Sequence, residues 1–364
     1  NSINNNTSNS NTSSSNSSSN NINTNNRWVI HDAKPLHPPR RMFDHGRSAA
    51  LLAHSLVALC LLLRTPVETR RTLSSQRHCG RANNAGPAAD QRIVNGWVVS
   101  PHRYPWMGSL AIQDTHDKTM APICGCSLIT RQHVLTAAHC TTMRKDWWKP
   151  GDEMVPFIIV LLGLHDLRKW RSQRSAVVRT VAKVSRPSSD NDADRHDITV
   201  LTLNEPVRFS RFVRPVCLPV RPSDSTELVG QTLVVTGWGL TEPNGDLSME
   251  LRASHMKVQS RDVCAQHFVT EIDPLTLCLG NPQEHSGACH GDSGGPAMRV
   301  HRQGIYTIEG IVSYAKNDLC ALDLPEVFTK VDEFLDFIHE VTRSTKRHAY
   351  KRRRIRTIRS ARLP

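Results

Sequence analysis

Apolar and polar positions divide the chain into unlike stretches. Residues 1 to 26 hold 24 Asn, Ser or Thr, a composition that buries too little apolar surface to offset chain entropy, so no structure is expected there. The run from Ser48 to Leu63 is sixteen residues without Asp, Glu, Lys or Arg, and it follows Met42 and Arg47. At about 1.5 Å per residue it spans about 24 Å as a helix, short of the roughly 30 Å hydrocarbon core of a bilayer. It reads as a secretory signal that starts at Met42, with the upstream residues outside the translated protein, and a signal anchor is the rival reading. The sequons at Asn5, Asn6, Asn11 and Asn16 lie upstream of Met42 and are not glycosylated on the first reading.

From Ile93 to about Thr342 the pattern changes to short β-rich runs separated by Gly, Pro and Asn. Phe157 to Leu162, Gln231 to Thr236 and Tyr306 to Ser313 are the clearest, and regular short strands of this kind predict β-barrels or a sandwich. Near the end Val331, Phe334, Leu335, Ile338 and Val341 recur at helical spacing and predict a closing amphipathic helix. The expected organisation is therefore 1–41 low-complexity, 42–70 signal peptide or signal anchor, 71–92 a polar, basic and turn-rich segment, 93–342 a globular domain, and 343–364 a basic tail.

Charge sharpens this division. The chain carries 46 Lys/Arg against 33 Asp/Glu, a net charge of +13. Residues 1–92 hold 11 and 4, residues 93–342 hold 25 and 29, and residues 343–364 hold ten and none. The basicity belongs to the flanks, and the globule gives no reason to expect nucleic acid as a partner. The tail reads as a solvated face, with a polyanion such as heparin or anionic lipid as the alternative.

Three motifs carry chemistry. Gly291-Asp292-Ser293-Gly294-Gly295-Pro296 surrounds a hydroxyl with small residues that let backbone approach backbone, as a nucleophile beside an oxyanion-binding turn requires. Thr136-Ala137-Ala138-His139-Cys140 supplies an imidazole, and Asp197-Ile198-Thr199-Val200-Leu201 places a carboxylate ahead of an apolar strand. Taken singly, each has a bland reading: a turn serine, a buried histidine, a capping aspartate. In the order His, Asp, Ser they make residues 93 to 342 resemble the chymotrypsin-like (trypsin-fold) serine proteases.

The resemblance implies two antiparallel β-barrels with the catalytic cleft between them and a C-terminal α-helix. It implies a secreted serine endopeptidase in which Ser293 attacks the scissile carbonyl, His139 relays its proton, and Asp197 orients His139. The N–H groups of Gly291 and Ser293 then form the oxyanion hole. Residues 71–92 become an activation peptide: a cut after Arg92 frees the amine of Ile93, which pairs with Asp292. No cofactor and no metal are expected. The partners implied are a protein or peptide substrate, an activating protease and protein inhibitors. The alternative is a non-catalytic, protease-like binding protein that uses its basic tail on polyanions.

Ten cysteines behind a secretion signal point to disulfides. The resemblance suggests Cys79–Cys217, Cys124–Cys140, Cys264–Cys278 and Cys289–Cys320, the first of which tethers the activation peptide after cleavage. Cys60 leaves with the signal. Cys126 stands where these proteases usually carry Gly, and reads as a buried free thiol or an intermolecular bridge. The substrate pocket is expected from Gly287, His290, Ser313, Tyr314, Ala315 and Glu326. Trypsins carry Asp at the floor position occupied here by Gly287, whereas Glu326 replaces a common Gly in the wall. Its carboxylate either meets a basic substrate side chain or turns away and leaves an apolar pocket. Trp147, Trp148 and Pro150 in the loop after Cys140 either overhang the cleft or pack on the barrel, and Asp194 is a candidate for facing the next substrate side chain.

Overall fold

The computed structural model describes residues 79–83, 96–113, 120–142, 157–187, 196–223, 225–242, 245–269, 272–280, 287–315 and 324–345. Thirteen strands are found among them: β1 Trp97–Val98, β2 Met107–Gln113, β3 Met120–Leu128, β4 His133–Thr136, β5 Ile158–Leu162, β6 Val177–Ser185, β7 Thr199–Leu203, β8 Thr232–Gly237, β9 Arg252–Gln259, β10 Thr276–Gly280, β11 Pro296–Val300, β12 Tyr306–Tyr314 and β13 Glu326–Lys330.

The first six strands after β1 close into an antiparallel barrel in the order β2-β3-β4-β7-β6-β5. The second sheet runs β1-β9-β10-β13-β12-β11-β8, and β8 also pairs with β9, so six of its strands close on themselves as a second barrel. Closure leaves few free edges, which satisfies the ladder groups that an open sheet would expose. The two short strands β1 and β10 share one edge of β9, meeting it at Ala253 and at Val258 respectively. These are the two antiparallel barrels expected from the resemblance.

The apolar runs explain where the core lies. Every residue of β5 is buried, because its five consecutive apolar side chains face the barrel interior on one side and a covered surface on the other. One cluster fills the first barrel and extends through Met298, Ile308 and Ile311 into the seam with the second. A separate cluster around Leu233, Met256, Leu279 and Phe328 fills the second barrel. Across the seam the Trp106 indole N–H donates to Met298 Sδ at 3.0 Å, and the Thr236 hydroxyl donates to Met107 Sδ at 3.0 Å.

The predicted strands are present with ends shifted by one residue: Phe157 precedes β5 in a 3₁₀ turn, and Gly237 extends β8. The closing amphipathic segment begins as a 3₁₀ turn, Val331–Phe334, and continues as an α-helix at 335–345. Its apolar stripe, Val331, Phe334 and Ile338, is buried in the cluster that also holds the first barrel. His133 Nε2 meets Thr345 Oγ1 at 3.0 Å and ties the end of the helix to β4. Residues 1–78, including the apolar run at 48–63, and the tail at 346–364 lie outside the described residues. Among the described residues no helix is long and apolar enough to cross a membrane.

Candidate active site

His139 sits in a short 3₁₀ turn, His139–Thr141, just beyond β4, and Asp197 lies two residues before β7. Because β4 and β7 are paired, with Thr136 opposite Thr199, two residues far apart in sequence arrive at one barrel end. The His139 Nδ1 and Asp197 Oδ2 atoms are 2.8 Å apart, and the His139 backbone N–H donates to Asp197 Oδ1 at 2.9 Å. The Ser313 hydroxyl donates to Asp197 Oδ2 at 2.5 Å, and the Thr329 hydroxyl donates to the Asp197 carbonyl at 2.8 Å. Burial acts to raise the Asp197 carboxyl, but hydrogen bonds from His139 and Ser313 outweigh it and hold the group below its ordinary value. The site thus keeps an ionised carboxylate against one edge of the imidazole.

Ser293 reaches this corner from the second barrel. The Gly125 N–H donates to the Ser293 carbonyl at 2.8 Å, and the Gly294 N–H donates to the Val312 carbonyl at 2.9 Å. Val312 is the neighbour of Ser313, so adjacent residues of β12 hold the serine turn and the aspartate. The glycines are required here: Gly291 and Gly294 adopt φ of 95° and 76°, and a Cβ on Gly294 would overlap the Thr136 hydroxyl two residues from the alanine before His139.

Asp292 turns inward. Its Oδ1 accepts from the Gly239 N–H at 2.8 Å and its Oδ2 from the Cys289 N–H at 3.0 Å. A Cβ at either Gly237 or Gly239 would collide with that carboxyl. The residue as a whole keeps some exposed surface, yet the titrating group is enclosed, and burial pushes it up to about 6. A pocket lined by Gly237, Gly239, Arg252, Gly287 and Cys289 opens beside it. Arg92 and Ile93 lie outside the described residues.

The specificity candidates divide. Glu326, on β13, is buried, and its Oε1 and Oε2 accept the Ala288 N–H at 3.0 and 3.3 Å. No basic side chain pairs with it among the described residues, and burial holds its carboxyl well above the ordinary value. Gly287 precedes Ala288 in the same segment. The Ser313 hydroxyl is committed to Asp197, so that side chain serves the His139–Asp197 corner. Tyr314 and Ala315 are exposed, with Tyr314 edge-on to Phe268 at 5.5 Å. His290 is exposed and its carbonyl accepts from the Leu240 N–H at 2.9 Å. Asp194, Trp147, Trp148 and Pro150 lie outside the described residues.

Three of the suggested disulfides are formed, Cys79–Cys217, Cys124–Cys140 and Cys264–Cys278. Cys289 is disulfide-bonded, while Cys320 and Cys60 lie outside the described residues. Cys126 is a buried free thiol that burial pushes far above its ordinary range. Cys124 and Cys140 place sulfur near His139, but a disulfide consumes both, so this group is not a metal set. The Thr329 hydroxyl and the pair Gly237 and Gly239 went unnoticed in the sequence; the Gly-Trp-Gly triplet at 237–239 was the available signal.

The residue between Cys79 and the cleavage candidate is also docked. The Asn83 side-chain amide donates to the carbonyls of His102 and Arg211 at 2.6 and 2.7 Å, and the Arg214 guanidinium donates to its oxygen.

A family model described as Trypsin matches residues 93–338. The chain is 33% identical over 255 residues to the proclotting enzyme of Tachypleus tridentatus, covering 68% of this chain and 66% of that protein, just under two thirds of its length. It is 31% identical to the venom serine protease Bi-VSP of Bombus ignitus, over 71% of this chain and 69% of the relative. Against kallikrein-11 of Mus musculus it is 31% identical over 70% of this chain and 84% of the relative. With two closed antiparallel barrels, a histidine–aspartate pair at their junction and these matches, the chain belongs to the trypsin family of chymotrypsin-like serine proteases.

Proposed function

We propose that this protein is a secreted serine endopeptidase made as a zymogen. The observation that carries the reading is the 2.8 Å contact between His139 and Asp197, with the Ser293 turn held against the same corner through Gly125 and Val312. Ser293 Oγ attacks the scissile carbonyl while His139 Nε2 takes its proton. Asp197 fixes the Nδ1–H tautomer and stabilises the imidazolium that forms. The tetrahedral oxyanion is bound by the N–H groups of Gly291 and Ser293, a type of donor that typically contributes about 3 to 4 kcal/mol of barrier reduction. Collapse passes the proton from His139 to the leaving amine, and water repeats the sequence to release the acid.

The switch lies at Asp292. In the uncut chain the carboxyl is enclosed with two backbone donors. Cutting after Arg92 creates an ammonium on Ile93 that enters the adjacent pocket and pairs with it, because a buried charge without a partner costs several kcal/mol. The Cys79–Cys217 bridge and the Asn83 contacts keep the released segment attached. Glu326 favours a basic residue at the cleaved bond, with apolar residues accepted when its carboxyl is protonated. Disulfides agree with an extracellular setting.

The test is hydrolysis of peptide reporters by protein cut at Arg92, beside Arg92→Gln and Ser293→Ala. Activity only in the cut, Ser293-containing protein supports the reading. Equal hydrolysis by Ser293→Ala removes the catalytic assignment, and full activity in Arg92→Gln removes the zymogen.

A further inference from the structure

Asp197 is placed through its backbone as well as through its carboxylate. The Ile198 N–H donates to the His196 carbonyl at 2.7 Å, which closes a γ-turn with Asp197 at its centre. Two side chains grip this turn. The Thr329 hydroxyl, on β13, donates to the Asp197 carbonyl at 2.8 Å, and the Phe334 ring, in the 3₁₀ turn that follows β13, meets the His196 ring edge-on at 5.6 Å. Thr329 is buried and stands opposite Ile311 on β12, the strand that also brings the Ser313 hydroxyl to the carboxylate. Neighbouring strands therefore supply two hydroxyls to one residue, one to its side chain and one to its main chain.

The junction between β13 and the closing helix is built around a buried cation. Successive side chains of a strand point to opposite faces, so Lys330 leaves β13 on the side away from Thr329. Its Nζ donates to the Ser223 carbonyl at 2.6 Å and to Glu333 Oε1 at 2.7 Å, and lies 3.3 Å from Asp332 Oδ1. The Lys330 and Asp332 side chains are each 1% exposed. Asp332 Oδ2 in turn accepts the Ser223 N–H at 2.7 Å and the Ser223 hydroxyl at 2.5 Å. A buried cluster of this kind adds little net stability, because desolvation offsets the attraction, yet it has one arrangement in which every member meets its partners. Thr329 and Phe334, the two residues that grip the Asp197 turn, stand immediately before and after the cluster residues Lys330, Asp332 and Glu333 in the chain.

We propose that Thr329 is a positioning residue for Asp197, and that the buried cluster around Lys330 fixes the strand end from which it acts. This role rests on the protease reading of His139 and Asp197. The Asp197 carboxylate holds the imidazole tautomer only while Oδ2 stays within hydrogen-bond reach of Nδ1, and its place is set by the turn behind it. Without the Thr329 hydroxyl the carbonyl of that turn loses its β13 donor, and the carboxylate loses its fixed direction. Misplacement of a catalytic group by about 1 Å can cost about a hundredfold in rate, so partial loosening of the turn is expected to cost about tenfold. The loss falls on kcat and not on KM, because Thr329 reaches the reaction through Asp197 and does not contact the substrate.

The test sets Thr329→Val, which keeps the shape and loses the hydroxyl, against Thr329→Ser, which keeps the hydroxyl and loses a methyl group, in full-length protein cut at Arg92. For a peptide reporter, kcat should fall about tenfold in Thr329→Val with KM within about twofold of wild type, and should stay within about threefold of wild type in Thr329→Ser. A packing role would reverse that order, since Val conserves volume and Ser does not. Lys330→Met, checked for folding by thermal unfolding, should lower kcat in the same direction, and Ser223→Ala, which trims one hydrogen bond from the cluster, is the milder second variant with a smaller loss. A readout that needs no catalysis comes from NMR of the cut Ser293→Ala protein labelled with ¹⁵N-histidine. There the His139 Nδ1–H, held by Asp197, should give a resolved proton signal that persists when Thr329→Ser is added and broadens or vanishes when Thr329→Val is added. An unchanged kcat or an unchanged signal in Thr329→Val, or a larger loss in Thr329→Ser than in Thr329→Val, overturns the role of Thr329. Wild-type kcat in both folded cluster variants removes Lys330 from it. If cut wild-type protein hydrolyses no reporter, the protease reading falls, and the NMR comparison alone decides whether Thr329 places Asp197 against His139.

Discussion

The Glu326 carboxyl accepts the backbone N–H of Ala288 on both oxygens, at 3.0 and 3.3 Å, from inside β13. This is a buried acid with one backbone donor and no basic partner among the described residues, and its proton is held well above the ordinary range. Deprotonation therefore grows with pH, and so does the attraction for a cationic side chain. The ratio of kcat/KM for an Arg reporter to that for a Phe reporter should rise with pH through the neutral and alkaline range, because Phe does not sense the carboxylate. Glu326→Gln should flatten the ratio and lower Arg cleavage by tenfold or more, given that an ion pair is replaced by a neutral contact. A pH-independent ratio in the native protein would remove Glu326 from specificity.

Asp292 makes the uncut chain sensitive to acid in an uncommon direction. Its carboxyl moves from 3.8 to about 6 on folding, so the folded state binds its proton more tightly. The contribution is fully present below the unfolded value and is lost as pH rises through about 6, with a size of roughly 3 kcal/mol. Urea unfolding of Arg92→Gln at about pH 4.5 and pH 7 should show this slope, and adding Asp292→Asn should remove it. On the proposed activation, the Ile93 ammonium of the cut protein should lower the same carboxyl, so the pair should persist at pH values below about 6 and fade as the amine deprotonates at alkaline pH. If Asp292→Asn leaves the pH dependence of Arg92→Gln unchanged, the enclosed-carboxyl account is wrong.

Ser313 acts on Asp197 through a 2.5 Å hydrogen bond. Ser313→Ala should reduce kcat/KM roughly tenfold, since a hydrogen bond to a charged group contributes about 1.5 to 3 kcal/mol. The Asp197 carboxyl should rise, and with it the acid limb of the pH–rate profile should move to higher pH. An unchanged acid limb would contradict a role through Asp197.

Glu309 is a stability test away from the site. Its side chain is 2% exposed and its Oε1 accepts from Arg299 Nε at 2.8 Å. Arg299→Met leaves that acid buried without its hydrogen-bonded cation and should cost roughly 2 to 4 kcal/mol at neutral pH, somewhat below a fully buried pair because Arg299 keeps about a third of its surface. Burial already raises the Glu309 carboxyl, and loss of Arg299 raises it further, so the deficit should shrink as pH falls and the acid is neutralised. Chemical denaturation at two pH values reads both effects.

The parts of the molecule that were legible in sequence are those set by local pattern. Phe157 to Leu162 is an unbroken apolar run and becomes a strand buried at every position from Ile158. Val331, Phe334 and Ile338 follow a helical stripe and are buried along one face. His139, Asp197 and Ser293 were visible because glycine, alanine and apolar neighbours restrict what can surround them. The Ser313 hydroxyl was not, because its direction depends on how β12 meets the loop before β7 across the barrel seam. The enclosure of Asp292 likewise arises from the close approach of Gly237 and Gly239, a long-range relationship that leaves only two small residues as its trace.

The most direct measurement is intact-mass analysis of protein cut at Arg92 and treated with a fluorophosphonate. The account predicts a single adduct that maps to Ser293, is absent from Ser293→Ala, and forms far more slowly in His139→Ala and in uncut Arg92→Gln. Cut, folded protein with its disulfides intact that gains no mass at Ser293 would contradict the assignment of this corner as an acyl-transfer site.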